Sequence, residues 1–435
     1  MNRNSEYEFS SSAVIIENKN RVVLIDTTTG LWMKSSEECY NYIKILAEGN
    51  YTIESFLQLF QDDEDVSYMA ELIEKLVSLH ILVERNASYE TDTRDKIEKV
   101  YFLITHRCNL RCRHCCVDAG VVDDKEELTT NEIMICIDRI AALNPQCVII
   151  SGGEPLIRKD FRDIIMYAVD EKKLNLHLMT NGCLIDKSLA EFIVQRFSAV
   201  SISIDGVDEA SCAIIRGKGC YDKVINAVKL LQECGSIEIS LSMVEIETNS
   251  DYQRSFRDLC KSLKVVPALR KFDLDGRGFE NRDILKEAFR DYYKRVGFTS
   301  ERNVLSRYRL ADPKEIGACN CHAIYDNLIV TENGDIYPCN LLNEKDYFIG
   351  NILKMDNLRD FVFKRKYITS SAYQNFLKIQ PNSIPMCREC KVNYFCFTCP
   401  NLVKQMMKYP DDLTVYCTGR KKHLYKIIWN EDIDT

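Results

Sequence analysis

Residues 108–116 read CNLRCRHCC and place four cysteines, Cys108, Cys112, Cys115 and Cys116, within nine positions. Thiolates are soft ligands, so this density suggests a metal centre. Structural zinc usually takes four ligands from C-x2–4-C or Cys/His pairs. Here Cys108-x3-Cys112-x2-Cys115 is instead a triplet on one short stretch. A [4Fe–4S] cubane has four iron corners, and three thiolates leave one iron open to an outside ligand. Zinc completed by His114 or Cys116, or a four-thiolate electron-transfer cluster, are the competing readings of the triplet alone. Eight more cysteines, Cys319, Cys321, Cys339, Cys387, Cys390, Cys396, Cys399 and Cys417, follow downstream. Eight thiolates suffice for two fully ligated cubanes, whereas one structural zinc needs half of them. A pair of zinc sites is the alternative there. Outside the triplet and these eight, the remaining nine cysteines, Cys116 among them, lack paired spacing and sit mostly in apolar runs, as packed core thiols do.

The elements that must position these groups change character along the chain. Residues 13–26, AVIIENKNRVVLID, read as two strands around a polar turn, and helices follow from about Ser36, Thr52 and Val66. With a strand at 81–85, this outlines a winged-helix-like α+β domain over residues 1–90. A charged stretch at 84–96 reads as a linker. From Val100, strand-like runs at 100–105, 146–151, 174–180, 199–205, 237–243 and about 265–274 alternate with helical patterns near 129–143, 159–172, 186–196, 221–234, 249–263 and 281–296. Repeated βα units imply a parallel sheet with helices outside, and six of them suit a partial (β/α)6 TIM-like barrel over residues 98–306. Such folds gather function at the C-terminal ends of their strands. CNLRCRHCC follows the first strand, GGEP (152–155) the second, TNG (180–182) the third and DG (205–206) the fourth, so all four should share one rim. Residues 307–435 form a third, cysteine-rich part, with a hairpin signal at Asn333-Gly334.

Composition narrows the classes. Twenty cysteines in 435 residues is about 5%, below the ~8–10% of disulfide-stapled secreted chains. No signal-peptide pattern or membrane-length apolar run is present, which reads as cytoplasmic with no membrane partner. The formal charge is −8, and residues 1–90 hold seven Lys/Arg against sixteen Asp/Glu. That balance opposes phosphate contact, so no nucleic-acid partner is expected despite the winged-helix outline.

The Cys triplet after the first strand, with GGEP after the second, resembles the radical S-adenosylmethionine (SAM) superfamily over roughly residues 100–300. The resemblance implies that Cys108, Cys112 and Cys115 ligate a cluster whose fourth iron is chelated by SAM, and that SAM is cleaved to a 5′-deoxyadenosyl radical. It further implies that Gly152, Gly153 and Glu154 cradle the SAM amino group and that Ser203 and Asp205 face the ribose. Arg216 would pair with the SAM carboxylate. His114 would lie beside adenine, where the family usually has an aromatic residue. Cys116 falls outside the triplet and reads as a small buried residue.

The downstream pattern Cys321-x12-Gly334-x4-Cys339, then C-x2-C-x5-C and later cysteines, resembles the SPASM auxiliary-cluster domain. This implies one cluster on Cys319, Cys321, Cys339 and Cys399 and another on Cys387, Cys390, Cys396 and Cys417, three [4Fe–4S] clusters in all. Cys396 and Cys399 are two residues apart where the family commonly has three. At the head of such a chain, residues 1–90 resemble a PqqD-like recognition element, which takes a leader peptide as an added strand. Together the resemblances imply a maturase of a ribosomally synthesised precursor peptide, served by an electron donor such as flavodoxin or ferredoxin. The three-part layout is similar to streptide-type cyclases, so a carbon–carbon Lys–Trp crosslink is the expected product. The competing expectations are a thioether-forming maturase, a sulfatase-maturing oxidase and a non-enzymatic iron–sulfur sensor.

Overall fold

The computed structural model describes residues 2–85, 96–120, 127–298, 317–318, 321, 323, 326–380, 383–396, 399–401, 404 and 410–433. It divides into two compact units that do not follow the three expected segments. The first comprises Met1–Asp92, Asn303–His322 and Gln374–Thr435; the second comprises Thr93–Arg302 and Ala323–Tyr373. No described helix is long and apolar enough to cross a membrane.

In the first unit, strands β1 (Tyr7–Phe9), β2 (Ala13–Asn18), β3 (Arg21–Asp26) and β4 (Trp32–Ser36) precede helices α1 (Glu37–Glu48), α2 (Ile53–Leu57) and α3 (Asp63–Ser78); β5 (Leu82–Glu84) follows them. β2, β3 and β4 make an antiparallel sheet, and β1 pairs with β5. The helices start on side-chain caps from Ser36, Thr52 and Asp62, each accepting an otherwise orphaned N–H. β3 explains why the C-terminal residues join this unit. Alternate residues of a strand face opposite sides. Val22 and Leu24 pack with the helices, in the cluster of Ile43, Phe56 and Ile73. Val23 and Ile25 pack instead with Ile384, Phe395, Ile428 and Trp429. β3 is therefore buried on both faces, and the N-terminal acidic domain shares a core with the cysteine-rich tail. Polar contacts reinforce this: Lys34 Nζ donates to the Ile428 carbonyl (2.7 Å), and Trp429 Nε1 to that of Lys391 (3.0 Å).

The second unit carries a nine-stranded sheet. Its six expected strands are β6 (Lys99–Leu103), β7 (Cys147–Ser151), β8 (Leu176–Thr180), β9 (Ala199–Ser203), β10 (Glu238–Glu245) and β11 (Val266–Lys271). They run parallel in sequence order, as the alternating pattern requires. The segments between them form α4 (Thr130–Ala141), α5 (Phe161–Met166) with a π-turn after it, α6 (Lys187–Arg196), α7 (Glu209–Arg216), α8 (Cys220–Cys234) and α9 (Ser250–Ser262); α10 (Gly276–Glu280) and α11 (Arg282–Val296) follow β11. α7 and α10 escaped the sequence reading because they are short. From the expected third part, β12 (Asn327–Val330) adds parallel to β6 and brings β13 (Asp335–Tyr337) and β14 (Gly350–Asn351) onto the same sheet. Backbone hydrogen bonding across that edge satisfies groups that burial would otherwise leave unpaired. The sheet stays open, with β11 and β14 at its edges.

Replacing Ile25 with Ala should destabilise the chain by about 2–5 kcal/mol, the cost of a large-to-small change in a packed core. Denaturant unfolding followed by fluorescence of the buried Trp429 measures it.

Candidate active site

A cavity of about 380 Å³ lies in the second unit, lined by residues from the loops that the sequence places on one rim. Cys108, Cys112, Cys115 and Cys116 all line it. The loop's shape comes from contacts outside itself. Arg113 N–H donates to the Ile215 carbonyl (2.9 Å), and Arg277 Nε and Nη2 donate to the carbonyls of Cys112 (3.0 Å) and Ala119 (2.9 Å). Arg277 also pairs with Asp118. Its helix approaches so closely that a Cβ on Gly276, at φ 52°, would stand 2.7 Å from the Cys115 carbonyl oxygen. A glycine tolerates both the positive φ and the approach.

Three sulfurs of the four meet N–H donors from other residues. Leu110 N–H and Asn181 Nδ2 approach Cys108 Sγ at 3.4 and 3.9 Å, Arg216 Nη1 approaches Cys112 Sγ at 3.9 Å, and Ala119 N–H approaches Cys115 Sγ at 3.4 Å. Such N–H groups favour thiolate sulfur. Burial works the other way, pushing Cys108 up and Cys112 to about 11. A coordinated cation removes that conflict by deprotonating the thiol outright. Cys116 is pushed to about 12, by burial and then by the charge of Asp273. Among the described residues no three Cys, His, Asp or Glu side chains converge tightly enough for one metal ion. Three sulfurs spread over one cavity wall fit a cubane instead, whose ligands bind different irons.

GGEP is placed on the same wall, with its carboxylate turned inward. Gly152 stands at φ 139°, and a Cβ there would lie 2.2 Å from the Thr105 carbonyl oxygen; one on Gly153 would lie 2.3 Å from that of Arg107. The two glycines thus let the second loop lie on the first, and both line the cavity. Glu154 is fully buried. Its oxygens accept from Leu156 N–H (3.1 Å), Thr180 Oγ1 (2.7 Å) and Asn181 N–H (2.7 Å). The carboxylate expected against an ammonium group is occupied with joining the β7 and β8 loops. Burial raises its pKa against those bonds.

Ser203 and Asp205 line the cavity at the end of β9. Asp205, at φ 51°, is 1% exposed and meets three partners. Oδ1 accepts from Val244 N–H (2.7 Å), and Oδ2 takes Arg216 Nη2 (2.6 Å) and His114 Nε2 (2.8 Å). Burial opposes ionisation, but Arg216 and His114 hold the carboxyl well below the usual range. Arg216, expected to meet a ligand carboxylate, therefore already has one. Among the described residues, the buried His114 Nδ1 has no hydrogen-bond partner.

Asp273, Arg270 and Lys271 near the end of β11 also line the cavity, as do Ile329 and Asn340 from the segment around β12. The sequence reading missed all five, because nothing local marks them. Burial and the neighbouring Asp275 push Asp273 up to about 6, against Arg270 and His114.

In the first unit, Cys387, Cys390, Cys396 and Cys417 come together from three short segments: each of Cys387, Cys396 and Cys417 feels the charge of Cys390, and Cys387 and Cys396 that of Cys417. Burial raises Cys387 to about 11 and Cys396 to about 12. For the other expected set, Cys319 lies outside the described residues, Cys321 and Cys399 belong to the first unit, and Cys339 to the second.

Residues 102–259 match the model of the Radical SAM superfamily. Residues 319–391 match that of SPASM, an iron–sulfur cluster-binding domain. The chain is thus a radical SAM protein with a SPASM domain, and those domains imply SAM and [4Fe–4S] clusters. Among solved structures, Streptococcus suis SuiB bound to S-adenosylmethionine superposes with a TM-score of 0.53 at 18% identity, covering 91% of this chain and 96% of that one. SuiB bound to the precursor peptide SuiA gives 0.52 at 17% identity, over 92% and 97%. Mycofactocin maturase MftC of Mycolicibacterium smegmatis is 26% identical over 66% of this chain and 74% of its own length. Fe-coproporphyrin III synthase of Methanosarcina barkeri is 32% identical over 46% and 50%.

An aspartate that is harder to ionise folded than unfolded removes stability as pH rises. The penalty is absent below about pH 4, grows between about 4 and 6, and is complete above. Asp273→Asn should therefore stabilise the chain by about 1–3 kcal/mol at pH 7.5 and by almost nothing at pH 4. Denaturant midpoints at the two pH values test this.

Proposed function

We propose that this chain matures a ribosomally synthesised peptide, holding three [4Fe–4S] clusters and closing an intramolecular crosslink. The observation that carries the reading is the cavity wall on which Cys108, Cys112 and Cys115 each meet an N–H donor from another residue while the Cys116 thiol is pushed up to about 12. The precursor peptide in the SuiA complex and the maturase name of MftC support a peptide substrate. Cys108, Cys112 and Cys115 would hold the cluster at which bound SAM would supply a 5′-deoxyadenosyl radical able to remove hydrogen from an unactivated carbon.

The chain's own residues do the rest. Cys108, Cys112 and Cys115 hold the cluster, and Gly152 and Gly153 leave space beside it. Ser203 and the Asp205–Arg216–His114 group form the polar wall against SAM. Glu154 contributes at one remove, by tying the β7 loop to the β8 loop. Residues 1–90 hold the leader, and their acidity suits basic leader residues. Cys387, Cys390, Cys396 and Cys417 hold one auxiliary cluster; Cys319, Cys321, Cys339 and Cys399 hold the other. Full ligation would leave both as electron relays or structural supports that carry away the residual electron, and a donor such as flavodoxin or ferredoxin would supply the electron for SAM cleavage. A streptide-like Lys–Trp carbon–carbon bond is the favoured product, because it requires no substrate thiolate on an open iron.

Anaerobic incubation with SAM and dithionite tests the enzyme class. Cys108, Cys112 or Cys115→Ala should abolish 5′-deoxyadenosine formation, whereas Cys116→Ala should retain it; a wild-type chain with full iron that forms none would sink the reading. Mass spectrometry of the mature peptide separates the crosslinks: both remove two hydrogens, but only a thioether removes an alkylatable cysteine. Cys390→Ala should lower iron content by about one third, one cluster's share of three, with the 5′-deoxyadenosine yield in the absence of peptide little changed.

A further inference from the structure

We propose that Cys183 and Cys220 form a reversible disulfide, a thiol-oxidation site that acts on the cavity wall through the loops carrying Asn181 and Arg216. Neither cysteine belongs to a cluster set, and they are distant in sequence. The fold brings their sulfurs to 3.8 Å, with the Cys183 thiol donating to Cys220 Sγ. Cys183 follows the β8 loop, where its N–H donates to Asn181 Oδ1 (2.9 Å). Cys220 opens α8, whose N-cap Gly219 offers no side-chain cap. The first N–H groups of that helix, which lack intrahelical partners, favour negative charge there. Cys220 Sγ also approaches the Arg216 carbonyl (3.7 Å).

The two sulfurs differ in a useful way. Cys183 is partly exposed, whereas Cys220 is 4% exposed. The hydrogen bond from Cys183 lowers Cys220 to about 7 despite burial, with Arg216 and Lys223 assisting. Near neutrality the pair therefore carries one proton, held on Cys183 by its hydrogen bond to Cys220, and the more exposed sulfur is the one that meets an external reagent.

The oxidant is a low-molecular-weight disulfide such as oxidised glutathione. As the Cys183 proton passes to Cys220 Sγ, the Cys183 sulfur attacks one sulfur of the reagent, the reagent's S–S bond breaks, and one thiolate leaves and takes up that proton. The Cys220 thiolate then attacks the Cys183 sulfur and expels the second. The two cysteines lose two electrons, and the second released thiolate takes its proton from water. A dithiol reductant reverses the exchange. Cytosolic disulfides of this kind are typically redox-sensing.

Closing the bond brings the sulfurs to about 2.05 Å, so one or both loops must move. Those loops carry Asn181 and Arg216, which reach Cys108 Sγ and Cys112 Sγ at 3.9 Å each. Contacts so long are the first to fail. Resting on the SAM-binding reading above, the expected effect is about tenfold weaker SAM binding.

Reduced, cluster-loaded full-length protein would be exposed anaerobically to oxidised glutathione, alkylated, digested and mapped by mass spectrometry, with SAM affinity measured by equilibrium dialysis before and after. The wild type should give a Cys183–Cys220 linked peptide and a tenfold rise in Kd, both reversed by dithiothreitol. Cys220→Ser should retain glutathione on Cys183. Cys183→Ser should take up none on Cys220 and keep its SAM affinity. Full alkylation of both cysteines after excess oxidant overturns the site, and a linked peptide with unchanged SAM affinity overturns its action on the cavity. If the reduced wild type binds no SAM, the cofactor reading fails instead, while the peptide map still decides the disulfide.

Discussion

A fully buried aspartate is the constraint on which the cavity depends. Asp205 has no water to turn to, so its charge must be met by protein. Arg216, His114 and Val244 meet it, and each belongs to a different stretch: the end of α7, the cysteine loop and β10. One carboxylate thereby sets the position of the guanidinium that reaches Cys112 and of the ring that forms the wall beside it. Breaking a buried ionic group by removing one partner is far costlier than its presence is stabilising, which makes the arrangement rigid. The Glu154 carboxylate repeats the device at the neighbouring loops with neutral donors.

A similar economy of surfaces shapes the first unit. β3 is covered on both sides, so an N-terminal sheet and a C-terminal cysteine field share one body. Arg21 and Lys34 on that sheet cap the carbonyls of Trp429 and Ile428 at the chain's far end. Loss of order in the tail would therefore be felt by the domain proposed to hold the leader.

Much of the fold was legible before any coordinates. The α4, α6, α8, α9 and α11 helices fall within a residue or two of their expected limits, since their apolar spacing is regular and their ends carry capping residues. The elements missed were short or joined distant segments. α10 begins DGRGFE, where two glycines read as breakers. They are there because the helix lies against the cysteine loop. β12 carries no local sign that it will pair with β6, and so Ile329 and Asn340 were not expected at the cavity.

The sequence by itself determined the ligand chemistry: sulfur identity and the C-x3-C-x2-C interval are local properties, and a nine-residue stretch states them in full. Only the tertiary structure decided which charges remain available to a ligand. Asp205, Arg216 and Glu154 are expected to face SAM, and burial also obliges their charged and polar atoms to find protein partners, the nearest of which belong to other loops. Asp273 is the converse, an unmarked residue made prominent by its surroundings. Cys183 and Cys220 differ again, two unremarkable core thiols until the chain folds them together, because contact between distant residues is a property of packing and not of spacing.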